Sequence, residues 1–361
     1  MQKSKTFPKP TSKPRLETLD HLRGFFIIVI IIDHLSRWPS ALSLLTGKAM
    51  LLVTAAEGFV AISGLLVGYV RGFKNRALPL KTVSFMLLRR AALLYVWSLI
   101  ASIGYVAIIW YVPLQGGAPS TPMAVGDWQA FLIQLVTFEY TFVWVYFLTL
   151  YALFLATAPI AIWLLRRKQA WVVGVLTTTI LIVGWITKIE VLQWQFLFFS
   201  AVIIGYYLET IMEWWQKLSR SSRRKIAITT VAATVLTMVI SALLVFWDPL
   251  FGFFINNVDD LFAKDSISPL RAGMAFLWFT GLFFVFYQFR RVISRYFNWL
   301  LLPFGRQSLT AYILHGLVLC MISFFTVSSL NGVENTALGL IAILIVLGLI
   351  KLPFIRKIIP A

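Results

Sequence analysis

The chain has 361 residues, of which 60% are hydrophobic and only 13% charged; its mean hydropathy is +0.84, whereas about a quarter of an average soluble domain is charged. A water-soluble globular protein is thereby excluded, and apolar runs along almost the whole length leave no stretch for a separate soluble domain. The formal net charge of +18 does not point to nucleic acid, because the basic residues sit in short clusters between apolar runs and not on one continuous face.

A short basic tail, residues 1–18, precedes a single polytopic membrane domain, residues 19–355. A bilayer core calls for roughly 17 to 25 apolar residues per helix. The chain predicts an all-α integral membrane protein of about ten such helices, near 20–38, 49–71, 83–111, 141–165, 170–187, 193–211, 226–247, 271–289, 304–327 and 337–354. The first apolar run, residues 24–32, is as short as a signal-peptide core. It is read as a retained helix, since no small-x-small site follows closely and Asp33, His34 and Arg37 interrupt the pattern.

Charge sets the expected orientation. With both termini cytoplasmic, 27 of the 32 basic residues fall on the inner side, including Lys3, Lys5, Lys9, Lys13, Arg15 and Arg23, the cluster from Arg71 to Arg90, and Arg166-Arg167-Lys168. Only Arg37, Lys48, Lys188, Lys264 and Arg271 fall outside, while the outer loops collect Asp127, Glu139, Asp248, Asp259, Asp260 and Asp265. An excess of Lys and Arg in short loops marks the cytoplasmic side, so strict alternation over ten spans supports count and orientation together. The longest outer loops, near 112–140 and 248–270, are rich in Gly, Pro, Asp, Asn and Trp; they suit either plain connections or covers for an outward-opening site.

Residues 19–38, LDHLRGFFIIVIIIDHLSRW, hold ionisable groups in an otherwise apolar helix. Such groups cost about 2.5 to 3.5 kcal/mol at a membrane-helix centre, so they face a protein interior and mark function. Arg23 and His34 are eleven residues apart, which places them on nearly one helix face, about 16 Å apart along the axis. The single cysteine, Cys320, excludes an internal disulfide and a cysteine-built metal site. His21, His34 and His315 lie in distant segments with no close His/Glu cluster, which argues against zinc; no metal and no permanently bound cofactor is expected.

LDHLRG at 19–24, the Arg23-x10-His34 spacing and AEGFVAISGLLVGY from Ala56 resemble the acyltransferase 3 family of membrane O-acyltransferases, and within it most closely the OpgC type, associated with succinylation of osmoregulated periplasmic glucans. Arg89-Arg90, WQFLFFSAVIIGYY from Trp194 and PFGRQSLTAYILHG from Pro303 sit where less distinctive features of that family are expected. One departure is Asp33, where OpgC-like sequences tend to have Asn. The resemblance implies a bacterial inner-membrane enzyme that moves a short acyl group, succinyl or acetyl, from cytoplasmic acyl-CoA to a hydroxyl of an extracytoplasmic glycan.

The residue chemistry accommodates that reaction. Transfer to a hydroxyl needs a base, and histidine, with an ordinary pKa of about 6.5, is the usual one; His34 is the expected base. Glu57 is placed to orient it, as a carboxylate does behind a catalytic histidine, and Asp33, about 100° away on the helix, is the poorer orienter. Arg23, Arg89 and Arg90 are expected to hold the donor's phosphates, because the guanidinium fork pairs phosphate oxygens. Ser63, His315 and Arg306 are the substrate-binding candidates, with helix packing the alternative for Ser63 and a bond to a neighbouring helix that for His315. His21, at the inner edge, is expected to be solvated. The rival reading is a transporter or lipid-linked sugar flippase using Asp33, His34 and Glu57 as a proton relay, against which stands the lack of repeated halves.

Overall fold

The computed structural model describes residues 17–116, 119–247, 250, 252–253, 259–262, 266–327 and 330–359. The basic tail over residues 1–16, together with Asp248, Lys264 and Asp265, lies outside them. Among the described residues the regular structure is entirely helical. The elements are α1 (Glu17–Leu35), α2 (Ala41–Thr46), α3 (Ala55–Leu66), α4 (Leu80–Tyr111), α5 (Trp128–Val136), α6 (Tyr146–Arg166), α7 (Ala170–Thr187), α8 (Glu190–Tyr206), α9 (Leu208–Lys217), α10 (Arg220–Phe246), α11 (Asp259–Phe262), α12 (Pro269–Gln288), α13 (Arg290–Tyr296), α14 (Asn298–Arg306), α15 (Ser308–Phe325), α16 (Gly332–Lys351) and α17 (Pro353–Ile358).

Each of the ten predicted stretches contains a helix. Eight helices among the described residues are long and apolar enough to cross a membrane, or nine when α8 and α9, bent by 61° at their junction, count as one span. The first predicted span falls short because α1, 19 residues long, carries Glu17, Asp20, Arg23 and Asp33. Its position accounts for those charges: α1 packs against α3, α12, α14, α15 and α16 and buries Leu22, Phe26, Ile27 and Ile31 almost completely. A helix sheathed by other helices tolerates polar groups that lipid would reject. At the other extreme α10 buries only 17% of its most apolar window and stands at the edge, whereas α15 buries 72%.

Capping defines where α3 begins. Thr54 is its N-cap, and Glu57 at the third position bonds back to the cap in a capping box, which satisfies backbone donors that a helix start otherwise leaves orphaned. Downstream, α3 lies directly on α8: a side-chain carbon at Gly205 would collide with the backbone of Leu65, and one at Gly64 with that of Phe198. Contact of this closeness between membrane helices needs residues with almost no side chain. Past Leu66, α3 continues as a π-helical segment, Val67–Lys74.

Candidate functional site

The end of α1 meets the middle of α15. His34 Nδ1 lies 2.8 Å from His315 Nε2, and His315 Nδ1 lies 2.5 Å from the Tyr312 carbonyl one turn earlier in α15. A carbonyl only accepts, so His315 carries its proton on Nδ1 and its lone pair on Nε2. His34 must then donate from Nδ1, and its own basic lone pair is on Nε2. His315 is shielded from water at 1% exposed while His34 is half-buried, and the Trp144 indole lies 6.4 Å from both imidazoles, ring centre to ring centre, within 21° of parallel to His34.

His34 opens onto a cavity of about 580 Å³. Its wall is built from Asp33, His34 and Ser36 at the end of α1, Thr54, Ala55 and Ala56 at the start of α3, Trp144 from the turn at Val143–Val145, Tyr146 and Phe147 of α6, Glu190 and Trp194 of α8, Arg271 of α12, and Leu319 and Ser323 of α15. Behind that wall Glu57, 0% exposed, meets Arg271, 1% exposed. One Glu57 oxygen accepts from Arg271 Nε at 2.6 Å and lies 2.5 Å from its terminal nitrogen. The other accepts from the Thr54 amide at 3.0 Å and the Thr54 hydroxyl at 2.6 Å. Arg271 also donates to the Phe262 carbonyl at 2.8 Å. Two guanidinium nitrogens thus share one carboxylate oxygen while Thr54 holds the other, and a hydrogen-bonded pair of this kind satisfies both charges out of water.

Sequence reasoning expected Glu57 behind His34; its hydrogen bonds go instead to Thr54 and Arg271, and His315 occupies the orienting position. Of Arg23, His34 and Glu57, only His34 lines the cavity: Glu57 stands behind the wall, and Arg23, half-buried on α1, is not among the lining residues. Asp33 does line it. Arg89 is exposed and Arg90 half-buried on α4. The Ser63 hydroxyl donates to the Phe59 carbonyl of its own helix at 2.9 Å, and Arg306, 45% exposed, lies 4.0 Å from Asp20. His21 corrects its expectation: it is 1% exposed and bonded through Nε2 to the Asn298 side-chain oxygen at 2.9 Å, because its face of α1 is covered by α14.

Among the cavity residues that escaped the sequence reading are Arg271, Glu190, Trp144 and Trp194. A signal existed for Arg271, one of five cations on the wrong side of the charge pattern, since a cation at the end of an apolar run calls for a carboxylate partner. Trp144 and Trp194 had none, being two of fourteen tryptophans.

Fold and site together define a multi-pass helical membrane protein with an aromatic-walled cavity and a hydrogen-bonded histidine pair beside it. The chain belongs to the OpgC protein family, whose sequence profile matches residues 15–354. That membership implies an enzyme of the acyltransferase type that modifies glucans at a membrane. No curated protein and no solved structure matches the chain.

Proposed function

We propose that the protein transfers a short acyl group, succinyl or acetyl, from acyl-CoA to a hydroxyl of an extracytoplasmic glucan, with His34 as general base. The observation that carries this reading is the hydrogen-bonded chain from His34 through His315 to the Tyr312 carbonyl beside the cavity. It supports a neutral imidazole whose basic nitrogen, Nε2, takes the proton. As the acceptor oxygen bonds to the thioester carbonyl carbon, its proton passes to Nε2. When the tetrahedral adduct collapses, the carbon–sulfur bond breaks and the leaving thiolate takes that proton from the imidazolium, so His34 ends neutral. His315 acts through His34 as a positioning residue, holding one tautomer and one ring orientation.

The donor's phosphates belong in this scheme at the opposite end of α1, where Arg23 lies about 16 Å from His34 along the axis, with Arg89 and Arg90 of α4 as further cations. Placing that end in the cytoplasm and the glucan outside follows the charge pattern, in a bacterial cytoplasmic membrane. Acyl-CoA is a co-substrate, and the lipid bilayer the remaining partner. Glu57 and Arg271 hold the cavity wall, and Asp33 faces the reacting groups.

The test is transfer from labelled succinyl-CoA and acetyl-CoA to glucan in membranes holding equal amounts of wild-type protein or His34→Ala. Loss of a positioned base costs about 10² to 10⁴ in rate, so the variant should fall by at least about two orders of magnitude. Equal transfer by both proteins removes His34 from the chemistry.

A further inference from the structure

Two arginines are buried among the described residues, and they differ in how their charge is met. Arg271, 1% exposed, has the Glu57 carboxylate. Arg37, 6% exposed, has neutral oxygens: one terminal nitrogen donates to the Val327 carbonyl at 2.7 Å and the other to the Thr326 hydroxyl at 3.0 Å. That hydroxyl gives its own proton to the Ile322 carbonyl at 2.7 Å, so toward Arg37 it only accepts. A guanidinium has five N–H donors, and among the described residues no carboxylate pairs with this one. A buried cation is ordinarily matched by an anion, because the attraction offsets the loss of water.

The position of Arg37 narrows which anion supplies the counter-charge. It follows His34 by three residues, so their Cα atoms lie within about 10 Å, and Ser36, at φ 52°, turns the chain out of α1 between them. The guanidinium comes to rest against Gly116, where an added side-chain carbon would fall on its terminal nitrogen. Gly116 lines the cavity beside His34, as do Ser36 and Ser323, and its amide donates to the Ser323 carbonyl at 2.8 Å. Having no side chain, Gly116 does not screen the cation from the cavity. Asp33 and Glu190 also line that space, each with interactions of its own, so an anion held there needs a cation beside it, and Arg271 is already committed to Glu57.

Arg23 and Arg37 stand on opposite sides of His34 in the chain. A donor with its phosphates near Arg23 and its thioester carbonyl at His34 points the rest of its acyl group onward, toward Arg37. In a succinyl group the free carboxylate carbon lies three C–C bonds past the carbonyl carbon, roughly 4 Å when extended; acetyl ends one bond past it and carries no charge. We infer that Arg37 is the anchor for the free carboxylate of a succinyl donor, its remaining N–H groups pairing the carboxylate oxygens past Gly116. The inference rests on the acyltransferase reading and adds a specificity-determining residue that favours succinyl over acetyl.

Transfer to glucan by the full chain in lipid nanodiscs tests it, with succinyl-CoA compared with butyryl-CoA, which has the same four-carbon chain and a methyl in place of the carboxylate. Wild-type protein should favour succinyl-CoA in kcat/KM by roughly ten- to a hundredfold, the range of a hydrogen bond between charged groups. Arg37→Gln should bring that ratio close to one, and Arg37→Lys, which keeps the charge and loses the fork, should give an intermediate value. An arginine that only clasps the end of α15 would, on substitution, lower both donors alike and leave the ratio where it was. Where Arg37→Gln lowers the Tm too far for assay, Gly116→Ala, which displaces the guanidinium, reads the same ratio. A wild-type ratio near one, or a ratio moved by neither Arg37→Gln nor Gly116→Ala, overturns the anchor and leaves acyl transfer standing. Absence of transfer from either donor and from acetyl-CoA in the wild type overturns the reaction, and the anchor with it.

Discussion

A histidine serves as base only when the nitrogen facing the substrate lacks a proton, and something must hold the proton on the other nitrogen. In the proposed reaction His315 does so for His34, itself held by a backbone carbonyl. The arrangement predicts a graded response at position 315. His315→Leu removes the acceptor for His34 Nδ1 and should lower kcat roughly tenfold, the equivalent of one hydrogen bond worth about 1 to 1.5 kcal/mol. His315→Gln keeps a side-chain acceptor and should retain more of the activity, and KM for acyl-CoA should hardly move in either. Steady-state kinetics at several pH values checks this; equal losses in kcat for Leu and Gln would show that His315 only fills space. At this scale the sequence showed both histidines as candidates but not their pairing, because 281 residues separate them and no local period reports a contact across the bundle. Glu57 was misread for a related reason: its depth was legible, but its partner Arg271 lies 214 residues away.

Between elements, the Glu57–Arg271 pair fastens the start of α3 to the start of α12, and Ser268 completes the joint by capping α12 through the Arg271 amide at 3.0 Å. Both charged groups are shielded from water, so removing one strands the other. A buried ion left alone destabilises by about 3 to 5 kcal/mol, whereas replacing both partners by apolar or neutral groups of similar volume is often nearly neutral. Glu57→Gln and Arg271→Met should each lower the Tm in detergent clearly, and the double variant should recover much of the loss. A double variant with the summed loss of the two singles would show that the pair is not coupled. Glu57 also caps α3, so its single variant should suffer somewhat more. The helices themselves were well legible, since a run of apolar residues needs no partner to declare itself. Their ends were not, where capping and bends decide: α3 begins six residues later than hydropathy suggests because Thr54 caps it, and the stretch predicted as one helix over 193–211 breaks at Tyr207 into α8 and α9.

For the whole molecule, the orientation proposed from the charge pattern can be tested on one helix. α7 runs from Ala170 to Thr187, 18 residues or about 27 Å at 1.5 Å per residue, close to the roughly 30 Å thickness of a bilayer core. Its flanking residues Lys168 and Lys188 are both exposed, and a spanning α7 puts them on opposite faces of the membrane. Lys168 belongs to the Arg166-Arg167-Lys168 cluster, and Lys188 is one of the few cations on the other side, so the charge rule puts Lys168 in the cytoplasm and Lys188 outside. The single native thiol, Cys320, is 2% exposed and contributes little background, and Cys320→Ala removes it. In that background Lys188→Cys should react with a membrane-impermeant maleimide added to intact cells, and Lys168→Cys only after the membrane is opened. The reverse pattern would invert the bundle and put His34 and its cavity at the cytoplasmic end, where a glucan outside the cell could not reach them. Labelling of both from outside would mean that α7 does not span at all, a result its 22% buried, otherwise lipid-suited surface argues against.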